Sequence, residues 1–129
     1  MRDFEYMVTA SKSFDEAVRA VEAAAAARGF RVLHTHDVAA TLADKGFQRE
    51  PLKIVEICNA RYAHEVLEKD VLTALMLPCP IAVFEQEGLT RIATMRPAAM
   101  KEFYAGKGID AIADQVEQAA LAIVDEAAR

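Results

Sequence analysis

Large apolar residues alternate with small or polar residues in several short segments of the chain. This alternation is typical of strands that bury one face. The segment Leu52–Cys58 is also rich in β-branched residues, and Glu87-Gly88 predicts the turn of a hairpin. The chain therefore contains five predicted strands, at about 4–9, 30–36, 52–58, 81–85 and 89–95.

Apolar residues recur every three or four positions between these segments, as they do along one face of a helix. The predicted helices run over about 14–28, 37–45, 59–70 and 109–128. Ser13 and Glu16 predict a capping box at the first helix, and Asp37 and Asn59 are predicted N-caps of the next two. The order β-α-β-α-β-α-β-β-α predicts an α/β or α+β fold, with helices packed on a single small sheet.

Length and charge narrow the class of protein. A chain of 129 residues suffices for one core, so residues 1–129 are predicted to form a single domain. The net charge of -5, without a cluster of Lys and Arg, argues against nucleic-acid binding. The apolar runs are far shorter than the roughly 20 residues that cross a bilayer, and the acidic N-terminus does not resemble a secretory signal. We expect a cytoplasmic protein with neither a nucleic-acid nor a membrane partner.

The two cysteines are the main candidates for chemistry. Cys58 ends a predicted strand just before a helix, and the unpaired amides of a helix start favour a thiolate. Cys79 lies between Pro78 and Pro80, which restrict the backbone and admit a cis peptide bond at Pro80. The alternative is that both cysteines fill space in the core, as free cysteines commonly do.

Histidines extend the list of candidates. His34 and His36 are two residues apart on a predicted strand and therefore share a face. Together with Cys58 and Cys79 they are candidate metal ligands, and His36 is also a candidate for ligand binding. The alternative is an exposed pair of polar side chains on a half-buried strand.

A hydrolytic or transfer reaction would need a nucleophile, a base and a group that orients the base. Cys58 is the candidate nucleophile, His64 or His36 the candidate base, and Asp37 the candidate orienting group. Their spacing in the sequence does not establish their mutual geometry.

Three blocks follow one another in the chain: Val32-Leu33 with Asp37, Thr41-Leu42 and Lys45-Gly46; Cys58-Asn59 with Ala63; and Leu77-Pro78-Cys79 before the hairpin. In these blocks the chain resembles a bacterial and archaeal family of domains of unknown function, number 302. Ala60 stands where that family usually has proline. The resemblance spans about 32–97 and implies a compact α/β fold that forms homodimers, with no established activity.

The resemblance also implies that Cys58, Asn59, Cys79, Asp37 and Lys45 belong to one site. For Lys45 the alternative is a structural salt link to Asp37. Two functions stay open. The first is binding of a small ligand or metal, or handling of sulfur, at a cleft between Cys58 and Cys79. The second is a non-enzymatic homodimeric structural or interaction module, with both cysteines as core packing.

Overall fold

Five strands form one sheet in the computed structural model, which describes residues 2–129. They are β1 (Glu5–Ala10), β2 (Arg31–Asp37), β3 (Leu52–Cys58), β4 (Cys79–Gln86) and β5 (Leu89–Met95). The strand order across the sheet is β1-β5-β4-β3-β2, and every neighbouring pair is antiparallel. The predicted fold class, a mixed α and β structure with a single sheet, is confirmed.

Helices separate the first four strands and follow the last. They are α1 (Phe14–Ala27), α2 (Val38–Ala43), α3 (Ala60–Lys69), α4 (Met100–Phe103) and α5 (Asp110–Ala128), with 3₁₀ turns at Val71–Met76 and Pro97–Ala99. The four predicted helices are all present. α2 is shorter than the predicted 37–45, and the one-turn helix α4 was not predicted because four residues show no recognisable periodicity. No helix within residues 2–129 has both the length and the apolar character needed to span a membrane.

The ends of the helices follow the local capping chemistry. The Ser13 side chain accepts a hydrogen bond from the Glu16 amide, and the Glu16 carboxylate accepts one from the Ser13 amide. The hydrogen bonds that the Ser13 amide and the Ser13 hydroxyl donate to this carboxylate lower the pKa of Glu16. Asp37 caps α2 and Asn59 caps α3, as predicted.

The core lies between α1, α5 and one face of the sheet. Side chains from the three central strands are fully buried there against Val21, Ile123 and Val124. Burial of each large aliphatic side chain contributes about 1.5–3 kcal/mol. The strand residues in this core are Val55, Ile57, Ile81, Val83 and Ile92.

The opposite face of the sheet is also largely apolar. Successive strand residues point to opposite faces, so the positions between the core residues belong to this second face. Within residues 2–129, no strand side chain on it reaches full burial. We call this surface the open face and define it by Met7, Ile54, Ala82, Phe84, Arg91 and Ala93.

A second, smaller apolar cluster lies beyond the end of the sheet. Val66 of α3, Met100 of α4, and Ile109 and Ala113 beside and within α5 are buried together. Because these residues come from three helices, the cluster holds α3 and α4 against α5. It thereby closes the end of the sheet at which β3 stops and β4 begins.

Candidate functional site: the two cysteines and their surroundings

The structure brings Cys58 and Cys79 together. Cys58 is the last residue of β3, Cys79 is the first of β4, and Cys79 lies opposite Ile57 in the register of the two strands. Both cysteines line one cavity at this end of the sheet. The sequence left open whether the two cysteines lie close together, and the pairing of β3 with β4 places them at one cavity.

The cavity beside the cysteines is small and apolar. Its volume is about 30 Å³, which is room for one or two water molecules. Side chains from α3, α4 and α5 line it together with the cysteines, among them Tyr62, Val66, Met100 and Val116. An organic ligand would have to displace this packing in order to enter.

Burial sets the protonation of both thiols. It raises the pKa of Cys79 to about 11, with a smaller contribution from the charge of Cys58. Burial also raises the pKa of Cys58. This direction is opposite to the one expected from the start of a helix, because the apolar lining removes the water that a thiolate needs. Both groups are neutral thiols at neutral pH.

Asn59 connects two helices. Its Oδ1 accepts a hydrogen bond from the Tyr62 amide at 3.1 Å, and its Nδ2 donates one to the Gly29 carbonyl at 3.1 Å. Gly29 follows α1 with a φ of +78°, a left-handed conformation that favours glycine. The asparagine of the Cys58-Asn59 block therefore joins the start of α3 to the end of α1.

Asp37 does not belong to the cysteine site. Arg31 lies opposite Cys58 in the β2–β3 pair, whereas Asp37 lies opposite Lys53, five residues further along β3. At the rise of a strand this is a separation of about 17 Å. Asp37 Oδ1 accepts a hydrogen bond from the Ala40 amide at 2.9 Å and so caps α2. The structure does not assemble Cys58, a histidine and Asp37 into a catalytic triad.

Two other candidates also lie outside the cysteine cavity. His64 is exposed on α3 and Lys45 is exposed after α2, and neither lines that cavity. The alternative of a salt link between Lys45 and Asp37 is not realised either, since none of the ion pairs found within residues 2–129 joins them. The five residues grouped by the family resemblance thus separate into a cysteine end and an Asp37 end.

The two histidines of β2 do share a face. The ring centroids of His34 and His36 are 4.3 Å apart in an edge-to-face arrangement, and His36 Nε2 lies 2.8 Å from Glu56 Oε1. Glu56 was not predicted, because only the pairing of β2 with β3 brings it to the histidines. Within residues 2–129, no three His, Cys, Asp or Glu side chains are placed to hold a metal ion. The metal-ligand candidates therefore form two separate pairs.

One bond geometry differs from the expectation. The cis peptide bond joins Leu77 to Pro78, rather than Cys79 to Pro80. The pair of prolines indicates a constrained segment, but the conformation of each bond depends on the structure around it.

Comparison with known proteins identifies the family of this chain. A model of "Domain of unknown function DUF302" matches residues 6–127. The chain belongs to the DUF302 family. The matched region is wider than the blocks at 32–97 and includes β1 and nearly all of α5. A search of curated proteins finds no match.

A solved DUF302 structure has the same fold. It is the crystal structure of an uncharacterized conserved DUF302 protein from Bacillus stearothermophilus. The two sequences are 29% identical, the alignment covers 99% of this chain and 100% of the other, and the TM-score is 0.92. The five-stranded sheet and its helices are therefore shared with that relative over the entire domain.

Proposed function

We propose that this DUF302 protein is a homodimeric structural or interaction module, in which two copies pack the open faces of their sheets together. The observation that carries the proposal is Arg91. Its Nε is enclosed by neighbouring atoms and has no hydrogen-bond partner within residues 2–129.

An enclosed guanidinium N–H without an acceptor is unfavourable. Arg91 lies on the open face, opposite Phe84 on one neighbouring strand and Thr9 on the other. Leaving a buried donor unpaired costs about 1–3 kcal/mol, and more when the group is charged. Because the Nε is already enclosed within one copy, an acceptor on a second molecule at the open face reaches it only if the Arg91 side chain shifts on association.

The composition of the open face favours a second copy of the chain as that molecule. Met7, Ile54, Ala82 and Ala93 supply apolar surface that is only half-buried in one copy. The carboxylates of Glu5 on β1 and Glu56 on β3 lie on the same face, where they pair with Arg2 and His36 of their own chain. Under a twofold axis, each surface meets its own duplicate, so a face that carries both a cation and acids can be complementary to itself.

The cysteine cavity supports the part of the proposal that assigns no chemistry to the cysteines. A volume of about 30 Å³ and two neutral thiols fit core packing better than binding of a ligand or transfer of sulfur. Packing also accounts for the position of Cys79 against the main core. In this function the two cysteines act by filling space.

The oligomeric state tests the proposal. Sedimentation velocity and light scattering should give twice the chain mass of 14.1 kDa for the wild type. Ala82→Lys places a charge at the centre of the open face and should give a folded monomer by circular dichroism. Ala111→Lys makes the same change on the exposed surface of α5 and should remain dimeric. A monomeric wild type, or an Ala82→Lys variant that dimerises normally, would overturn the proposal.

A further inference from the structure

A larger groove lies at the end of the sheet away from the cysteines. Its volume is about 490 Å³, within the roughly 300–1,000 Å³ of small-molecule sites. Its lining comes from the start of α1, the junction of β2 with α2, the segment that precedes β3, the start of β3 and the end of β4. Unlike the cysteine cavity, it has room for a small molecule without rearrangement.

Charges of both signs face this groove. Lys53 and Arg49 supply positive charge, and Asp15, Asp37 and Glu85 supply negative charge. Within residues 2–129 none of these five takes part in an ion pair, although Lys53 and Glu85 are half-buried on neighbouring strands. Lys53 and Glu85 are therefore available to charges on a ligand, whereas Asp37 Oδ1 already accepts from the Ala40 amide and Arg49 Nε already donates to the Glu50 carbonyl.

The groove also has an ordered apolar wall. The ammonium of Lys53 lies 6.0 Å from the ring centroid of Phe14, a cation–π distance that places this charge beside an apolar surface. The Glu85 amide donates a hydrogen bond to the Pro51 carbonyl at 3.1 Å, which holds the strand that carries the acid. Leu52 completes the apolar lining.

We propose that this groove binds a zwitterionic molecule of the size of an amino acid or dipeptide. The carboxylate of the ligand faces Lys53 and Arg49, and its ammonium group faces Glu85 and the neighbouring acids. A ligand with only one of these charges satisfies one set of groups and is repelled by the other. The site is independent of the homodimer proposed above, since its charged groups lie outside the open face.

Titrations with three related dipeptides test the proposal. Alanyl-alanine is a zwitterion, N-acetyl-alanyl-alanine is an anion, and alanyl-alanine amide is a cation. Nuclear magnetic resonance should show saturable shifts at the amides of Lys53, Glu85 and Phe14 with alanyl-alanine, and about tenfold weaker binding for each derivative. No saturable shifts, or equal binding of a singly charged derivative, would overturn the proposal.

Variants locate the site. Lys53→Gln and Glu85→Gln should each weaken binding of alanyl-alanine about tenfold while the far-ultraviolet circular dichroism is retained. Arg49→Gln, at an exposed position, should weaken binding without any effect on folding. Lys107→Gln and Glu68→Gln remove exposed charges outside the groove and should bind like the wild type. Wild-type affinity in all three groove variants would contradict the site.

Discussion

The phenolic hydroxyl of Tyr6 donates a hydrogen bond of 2.6 Å to Oδ1 of Asp125, which joins β1 to α5 across 119 residues of sequence. The amide of Ser11 donates to the Ala128 carbonyl, and Lys12 Nζ donates to the Ala127 carbonyl. β1 is an edge strand, so these bonds complement its single strand neighbour, β5. The hydrogen bond with Asp125 also raises the pKa of Tyr6.

Tyr6→Phe should therefore lower the free energy of unfolding by about 1–3 kcal/mol at neutral pH, because it removes a hydrogen bond to a charged acceptor. Urea denaturation measures the change. Tyr62→Phe is the matched control, since no hydrogen bond from the Tyr62 hydroxyl is found within residues 2–129. Equal losses in the two variants would contradict the role given to the bond with Asp125.

Cys79 should make the protein less stable at alkaline pH. Above about pH 9 the thiol ionises in the unfolded chain, whereas in the folded protein its pKa is about 11. The unfolded state then binds fewer protons, so stability falls as pH rises, by about 2–3 kcal/mol between pH 9 and 11.

Comparison of denaturation curves at pH 8 and at about pH 11 measures this loss. In Cys79→Ala the free energy of unfolding should decrease less between these two pH values, because no thiol at this position ionises. The variant should be less stable than the wild type at both pH values, because it loses packing. A loss of the same size in wild type and variant would show that Cys79 does not contribute.

Two variants of Asn59 should separate the contributions of the two hydrogen bonds that its side chain makes. Asn59→Ala loses both the cap of α3 and the bond to the Gly29 carbonyl, and should cost about 1–3 kcal/mol in the free energy of unfolding. Asn59→Asp keeps an oxygen for the Tyr62 amide but places an acceptor beside that carbonyl. If the cap contributes most, the free energy of unfolding of Asn59→Asp should lie between those of the wild type and the alanine variant. If repulsion at the Gly29 carbonyl contributes most, it should lie below that of the alanine variant.

Arg91 should affect association and monomer stability in opposite directions. Arg91→Met keeps a long flexible side chain and removes the unpaired donor, so the isolated chain should be as stable as the wild type or more stable. The dissociation constant of the homodimer should rise about tenfold or more, because the acceptor on the second copy loses its donor. Sedimentation equilibrium measures the constant, and an unchanged value would exclude Arg91 from the interface.

Alkylation rates report the state of the two thiols. At neutral pH, Cys79 should react with iodoacetamide more slowly than Cys58, since its thiol is more deeply buried and its pKa is higher. Both should react faster in urea. A thiol that reacts faster in the folded protein than in urea would be an activated nucleophile. That result would support the alternative in which the cysteines form a reactive site.

The local structure of the chain follows from its sequence. The bounds of β3, the capping box at Ser13 and the caps at Asp37 and Asn59 all follow from interactions between residues a few positions apart. The three blocks that resemble the family can also be recognised from the sequence, because they are defined by residue types and their order along the chain. The positions of Cys58 and Cys79 at strand ends left open whether the two residues meet, and only the pairing of β3 with β4 brings them together.

The surroundings of these residues depend on how the elements pack against one another. The pairing of β2 with β3 carries Asp37 about 17 Å away from Cys58 and brings Glu56 to His36. The packing of α3 and α5 over the cysteines removes water and raises both pKa values, against the trend expected at a helix start. Arg91 lies on the face of the sheet opposite α1 and α5, and its Nε has no hydrogen-bond partner within residues 2–129. Burial and charge environment depend on residues distant in the chain, so they follow from the packed fold and not from local pattern.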